Sequence, residues 1–309
     1  MPLLSRKRLI LAKTETTYGT SAAPSGTDAI LVRSLEITPQ DSDVVSRDLI
    51  RPYLGNSDQL LANTKVRCTF EVELAGSGTA GTAPKFGPLL LACGMAATTV
   101  ASTSVTYAPV SGSFSSCTIT YNIDGVQHLL TGCRGTVTMN CQLGQIPTLQ
   151  FEMTGIYNAP TDTAQPAVTY SQVTPLIFKA GNTTGFQLFS YSGCLASVNF
   201  NLANEVVYRE LVGCTKQVLI TDRKPAGEVS IEAPTIAAKD YFAAALGTAT
   251  GNLTFAHGTT GGNTVTFTAS QVDVVNPSYS DMDGIQMLTV PYVALPTTAG
   301  NDEFSLAFT

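Results

Sequence analysis

Alternating apolar and polar positions run through much of the chain and predict β-strands. The alternation is clearest in TITYN at 118–122, VTMNC at 137–141 and LQFEM at 149–153. A period of two is typical of a strand with one buried and one solvated face. Turn residues such as Asp124-Gly125 and Pro147 separate these stretches. The pattern predicts a mainly β protein with antiparallel sheets.

The order of elements recurs along the chain. The segment VVSRDLI at 44–50 returns as VVYRELV at 206–212, and FEVE at 70–73 resembles VSIE at 229–232. A short helix of small and apolar residues is predicted after FEVE and again after VSIE. The stretches that follow also correspond in order: 118–121 with 264–267, and Ile146, Leu149 and Phe151 with Ile285, Leu288 and Val290. A rival alignment pairs 124–127 with 283–286.

This recurrence predicts an internal duplication. The expected fold is two tandem β-sandwich or half-barrel units, each with one short flanking helix, contributing strands to an oligomeric barrel. The expected segments are an N-terminal arm at 1–23, a first β domain at 24–165, a linker at 166–185 and a second β domain at 186–309.

The segment GSGTAG at 76–81 matches the dinucleotide fingerprint G-x-G-x-x-G, but its surroundings do not. The preceding strand alternates with charged residues, whereas a Rossmann strand is buried on both faces. Pro84 and Pro88 delay the helix, and the first acid after Glu73 is Asp124 rather than one about 20 residues on. A structural loop is the preferred interpretation, with no nucleotide.

Composition favours an assembled protein over a free monomer. Only 13% of the 309 residues are charged, the net charge is −6 and the pI is about 4.9. So few charges indicate that surface is hidden against other protein. An acidic chain does not grip nucleic acid through its phosphates.

Candidate chemistry is sparse. The seven cysteines lack zinc-site spacing, and we expect reduced, mostly buried thiols. His128 and His257 are the only histidines, and neither accompanies a nucleophile motif. The acids around Asp281 and Asp283 predict a turn rather than a calcium loop. We expect no enzyme activity, no cofactor and no metal. The apolar run at 9–12 is too short for a signal peptide, and no run approaches a membrane span.

Three stretches together resemble the tail tube proteins of phages with long, non-contractile tails. They are KTETTYGTSAAPSGTDAI at 13–30, RDLIRPYLG at 47–55 and FEVELAGSGTAGTAPKFGPLLLACG at 70–94. The resemblance implies a structural virion protein that forms rings of six-fold or pseudo-six-fold symmetry. The sheets join edge to edge around a channel, and stacked rings form a tube through which the genome is ejected.

With two units per chain, the expected ring is a pseudo-hexameric trimer, and a true hexamer is the alternative. The expected partners are other copies of the chain, the tape measure protein, the tail terminator and the distal tail or baseplate protein. Double-stranded DNA is expected to pass through without specific binding. The expected location is the virion tail, assembled in the cytoplasm of the host bacterium.

A channel that releases DNA should be acidic or neutral, which makes acids on alternating strands the candidates for its lining. These are Asp41, Asp43, Glu71, Glu73, Glu205, Glu228 and Glu232. An outer solvated face is the alternative location for each. A long hairpin loop is expected to contact the neighbouring ring, with candidates Arg47, Arg51, Leu54, Leu60 and Leu61. The N-terminal arm is expected to reach another ring as well.

Other function classes stay open at this point. A tail terminator or a capsid decoration protein would also be a structural part of a virion. A β-sandwich adhesin would normally carry an export signal, which the sequence does not show.

Overall fold

The alternating segments form antiparallel strands, which confirms the predicted mainly β fold. The structure is a computed structural model that describes residues 2–309. Eighteen strands belong to one hydrogen-bonded sheet and two strands to a separate small one. The α-helices in the described part of the chain are two, each of six residues.

The first half of the chain contains ten strands, with helix α1 (Gly87–Ala92) between the fourth and fifth. The strands are β1 (Arg8–Thr14), β2 (Ala29–Ile30), β3 (Arg33–Ser46), β4 (Gln59–Glu73), β5 (Met95–Val100), β6 (Ser104–Pro109), β7 (Cys117–Ile123), β8 (Val126–Gln142), β9 (Thr148–Tyr157) and β10 (Thr161–Asp162). A short 3-10 helix at Gly26–Asp28 precedes β2.

The second half contains ten more strands, with helix α2 (Tyr241–Leu246) after the fifth of them. The strands are β11 (Thr183–Leu188), β12 (Leu195–Asn201), β13 (Asn204–Arg209), β14 (Gln217–Arg223), β15 (Ala226–Glu232), β16 (Gly251–His257), β17 (Val265–Val274), β18 (Ser278–Met282), β19 (Ile285–Ala294) and β20 (Ser305–Phe308). Strands β13 and β14 form the separate small sheet.

Eight strands form a continuous antiparallel path, called the joined sheet below. Its order is β3, β4, β9, β8, β12, β15, β19, β18. The pairing of β8 with β12 connects the two halves of the chain. The other strands of each half lie around this path, and β20 pairs with both β6 and β17.

One face of the joined sheet is buried. Phe70 on β4 faces Phe151 on β9, with ring centroids 5.8 Å apart. Phe200 on β12 packs against Phe267 at 4.9 Å and Phe304 at 4.6 Å. Each large side chain fully buried in this way contributes about 1.5–3 kcal/mol through removal of apolar surface from water. Core residues of both halves belong to one hydrophobic cluster, so the two units share a core.

The two halves use the same order of strand pairing. In the first half it is β1, β7, β8, β9, β4, β3. In the second it is β11, β16, then the consecutive strands β17 and β18 sharing one position, then β19, β15 and β12. The counterpart of β7 in this order is β16. The sequence alignment of 118–121 with 264–267 is therefore wrong, because residues 265–267 belong to β17 and not to β16.

The N-terminal segment differs from the arm predicted at 1–23. Residues 8–14 form β1, which pairs with β7 along its whole length and with β2 at Ile10 and Leu11. Four consecutive residues of β1, at positions 9–12, are buried. The strand is covered on both faces, so it lacks the alternation by which other strands were predicted.

The small sheet β13–β14 is tied to the first half by a cluster around Arg134. The guanidinium donates to the backbone carbonyls of Val218 at 2.8 Å and Phe114 at 2.7 Å. It also lies 4.8 Å from the ring centroid of Tyr18, whose hydroxyl accepts from the backbone N–H of Val218. Burial raises the pKa of Tyr18. These contacts hold the hairpin of the second half against the first half.

Candidate functional site

The second face of the joined sheet is polar and accessible, and we call it the polar face. On β4, Phe70 and Val72 point into the core while Glu71 and Glu73 alternate away from it. The strands of the second half show the same alternation. Uncharged polar side chains occupy much of the remaining face: Thr69, Thr136, Thr138, Asn140, Thr148, Gln150, Ser197, Asn199, Ser230, Ser278, Ser280 and Thr289.

Five of the seven acids predicted to line a channel lie on the polar face: Asp41, Glu71, Glu73, Glu228 and Glu232. The structure adds Glu36 on β3 and Glu152 on β9, which alternate with buried Leu35 and Phe151. The alternation of apolar and polar positions could have identified both residues, but neither is among the predicted channel acids. The basic residues on this face are Arg33, Lys65 and Arg67 on β3 and β4, and Arg134 on β8, which lies beneath the small sheet. Acids outnumber them.

Asp41 is paired with two basic residues of this face, and the other two predicted acids lie further away. Asp41 accepts from the Arg67 Nε at 2.7 Å and from the Lys65 Nζ at 3.4 Å, so its charge is compensated. Asp43 lies further along β3 and accepts from the Asn63 side chain at 2.7 Å. Glu205 is exposed on β13 of the small sheet, opposite Asp222.

The joined sheet ends in two open edges. Strand β3 pairs only with β4, and β18 pairs only with β19, within the described residues. All five residues of β18 are exposed. Unpaired backbone N–H and C=O groups along such edges are templates for pairing with another chain.

The β3–β4 hairpin carries exposed apolar residues on both of its faces. Val44 lies opposite Leu61, and Val45 lies opposite Leu60. At the tip, Ile50 and Leu54 are 103% and 102% exposed. Leu60 and Leu61 belong to β4 and not to the connecting loop, which spans residues 47–58. Arg47 forms an ion pair with Asp58 across the base of that loop at 3.1 Å.

The glycine loop is packed against another loop, which agrees with a structural role. Gly76 donates its backbone N–H to Asn263 at 2.9 Å, and Gly78 donates to the Gly262 carbonyl at 2.9 Å. A Cβ on Gly76 would lie 2.0 Å from the Gly262 carbonyl oxygen, so no larger residue fits there. The amides that would cradle a phosphate are directed at protein atoms.

Neither histidine accompanies a catalytic group. The His257 Nδ1 lies 2.9 Å from the Thr183 hydroxyl and its Nε2 lies 3.1 Å from the Leu176 carbonyl. Burial lowers the pKa of His257, and the bond to Leu176 partly opposes this shift.

The residues around Asp281 and Asp283 form a turn, as the sequence predicts. Asp281 accepts from the backbone N–H of Gly284 at 3.3 Å in the turn between β18 and β19.

Other chemistry is sparse in the described chain. Cys194 and Cys214 are exposed, the other five cysteines are buried, and none of the seven is in a disulfide. Burial raises the pKa of the Cys141 thiol to about 12. Among residues 2–309 there is no cluster of side chains with metal-binding geometry. Over the same residues, both helices are far too short to span a bilayer.

The described chain is a β protein whose joined sheet has an acidic face and two open edges. The family described as "Phage tail tube protein" matches residues 5–303, and the chain belongs to this family. Membership indicates a structural protein of the virion tail that associates with itself to form a tube. A search of curated proteins returned no match.

Proposed function

We propose that this chain forms the stacked rings of a long, non-contractile tail tube and that genomic DNA passes through their channel during ejection. The observation that carries the proposal is the joined sheet, which is acidic on one face and unpaired at both ends. Edge-to-edge pairing with further copies satisfies the open strands. Closure around an axis then leaves the polar face for the channel, since the opposite face is core.

The ring contains three chains, each supplying two equivalent units, at 24–165 and 186–309. Eight strands from each of three chains make a barrel of twenty-four. At about 4.8 Å between strands, the circumference is at least about 115 Å and the backbone diameter about 37 Å. Such a barrel is wide enough to admit a DNA duplex. Head-to-tail contacts between identical units close into a ring when the rotation permits, and a true hexamer is the alternative.

The acids of the polar face line the channel. Glu71, Glu73, Glu228 and Glu232 supply the main negative charge, together with Glu36 and Glu152. Asp41, Asp43 and Glu205 extend the acidic lining toward the hairpins of the two halves. Like charges keep the phosphate backbone of DNA from adhering to the wall, so that the genome slides without specific contacts.

The β3–β4 hairpin contacts the neighbouring ring. Arg47 and Arg51 supply charge there, and Leu54, Leu60 and Leu61 supply apolar surface. An apolar hairpin exposed on both faces is an aggregation hazard in a monomer, and stacking of rings covers it. The tape measure protein, the tail terminator and the distal tail or baseplate protein complete the tail, which assembles in the cytoplasm of the host bacterium.

Purified protein tests the proposal by electron microscopy and mass measurement. Negatively stained preparations are expected to contain hollow tubes. Rings released from them should have three times the 32.4 kDa chain mass. Six times that mass would replace the trimer with a hexamer. Single rings that never stack would favour a tail terminator, and dispersed monomers would contradict self-assembly altogether.

A further inference from the structure

The junction between the two halves of this chain is a template for the junction between chains. At the internal junction, β8 of the first half pairs with β12 of the second. In the shared order of pairing, the counterpart of β8 is the strand β17 with β18, and the counterpart of β12 is β3. The edges of β18 and β3 that correspond to this junction are the two open edges of the joined sheet.

Register fixes which residues correspond. Phe70 pairs with Phe151 in the first half, and Val229 pairs with Val290 in the second. In the strands beyond these pairs, Leu35 on β3 occupies the place of Val198 on β12. Tyr279 on β18 occupies the place of Met139 on β8, since each lies opposite a leucine of the next strand.

We propose that β3 of one copy pairs antiparallel with β18 of the next copy, in the register of the internal junction. Val198 pairs with Cys141 and Phe200 with Met139 inside the chain. The corresponding contacts between chains are Leu35 with Asp281, Glu36 with Ser280, Ile37 with Tyr279, and Thr38 with Ser278. This inference rests on the proposed ring.

Two prolines mark one end of the proposed junction. At the internal junction, Leu202 donates its backbone N–H to the Val137 carbonyl, which continues the ladder. The positions corresponding to these two residues are Pro39 and Pro277. Proline has no backbone N–H, so a ladder between these strands ends there on both sides. The two strands therefore stop pairing at the same level.

Bulges limit the correspondence at the other end. In β12 the register shifts between Leu195 and Ser197, and in β3 it shifts between Arg33 and Glu36. The extra residue lies at a different position in each strand. The residue-by-residue correspondence therefore applies from Leu35 to Pro39.

Disulfide trapping tests the register. The alternation of bonds at the internal junction makes Asn199 and Asn140 a non-hydrogen-bonded pair. Such pairs have Cα atoms about 4.5 Å apart, within the range that a disulfide spans. The corresponding double variant is Glu36→Cys with Ser280→Cys, in a background where the exposed Cys194 and Cys214 are serine. Protein is assembled under reducing conditions and then oxidised.

The expected result is a set of covalent dimers and trimers on a non-reducing gel, with no larger species. A matched control, Glu36→Cys with Met282→Cys, moves one thiol by two residues on the same strand face, beyond disulfide reach. It should cross-link at least about tenfold less. Thr38→Cys with Ser278→Cys is a second test pair in case the first variant does not assemble.

The outcomes separate the inference from the proposed function. If tubes form but neither test pair cross-links more than the control, the proposed register is wrong while the tail tube function stands. If unmodified protein forms no rings or tubes, the proposed function fails, and the junction between chains fails with it.

Discussion

The buried Glu15 side chain holds the segment that follows β1 against β7 and β8. Its carboxylate accepts four hydrogen bonds: from Thr118 at 2.9 Å, Gly132 at 2.7 Å, Gly19 at 2.9 Å and Ser116 at 2.6 Å. The residue is 9% exposed. The bonds tie the segment after β1 to the start of β7 and to the bulged part of β8.

Replacement of Glu15 should destabilise the folded chain. The Glu15→Gln variant replaces one carboxylate oxygen by an NH₂ group. Where that group takes the place of Oε2, it cannot accept the hydrogen bonds that Gly19 and Ser116 donate. We expect a loss of about 2–4 kcal/mol in the free energy of unfolding, measured by urea denaturation. The exposed Glu228→Gln should change it by less than about 0.5 kcal/mol. Equal effects of the two variants would contradict this role for Glu15.

At the residue scale, the sequence predicts the polar face better than it predicts Glu15. A period of two identifies Glu71 and Glu73 as alternating with core residues, and needs no tertiary information. The role of Glu15 depends on loop geometry around Gly19 and Gly132, which no local pattern carries. Contacts such as Gly76 against Gly262 are likewise long-range.

At the element scale, the β3–β4 hairpin differs from the corresponding hairpin of the second half. Strands β3 and β4 continue to an exposed tip. In the second half, the hairpin breaks between β12 and β13, where Ala203 has a φ of 49°. Its outer part packs near Lys65, whose Nζ lies 6.0 Å from the ring centroid of Tyr208. The second hairpin also ends in exposed apolar residues, Leu211 and Val212, but its strands pack against the first half, whereas the outer parts of β3 and β4 are exposed on both faces.

The tip of the β3–β4 hairpin should be required for stacking and not for folding. We expect Ile50→Ser with Leu54→Ser to leave thermal stability unchanged while shortening tubes or leaving single rings, as seen by electron microscopy. Leu246→Ser, at the last residue of α2, whose side chain is 92% exposed, is the matched control and should form full-length tubes. Normal tubes from the tip variant would remove the hairpin from the contact between rings.

The sequence predicts strands that alternate and misses those that do not. Strand β9 and the second half of β8, from Arg134 onward, follow the period of two, so both were predictable from the sequence. Strand β1 is buried on both faces and was predicted as an arm, because a short apolar run without alternation does not distinguish a strand from a loop. The break between β12 and β13 depends on packing against the first half and has no local signal.

At the scale of the whole molecule, the charge of the channel follows from the joined sheet. Replacement of Glu71, Glu73, Glu228 and Glu232 by lysine creates a basic wall, which should bind phosphates and slow DNA ejection about tenfold or more at low salt. The effect should shrink as salt is raised, because added salt reduces the free energy that binding gains from counterion release. Replacement of the same four residues by aspartate keeps the charge and is the matched control. Unchanged ejection from lysine-bearing virions would place these acids outside the channel.

Local sequence patterns encode the assembly only in part. Low charge and in-order recurrence predict an assembled protein with two units per chain. The route of the joined sheet through β8 and β12 depends on contacts between residues about 60 positions apart, and no periodicity specifies such contacts. The two open edges of the joined sheet are defined only by this tertiary pairing.

A cryo-electron microscopy reconstruction of the assembled tube tests the account most directly. The account predicts three chains per ring, β3 of each chain paired with β18 of the next, and Glu71, Glu73, Glu228 and Glu232 facing the channel. A ring in which these two edges are unpaired, or a channel lined by lysine and arginine, would contradict it.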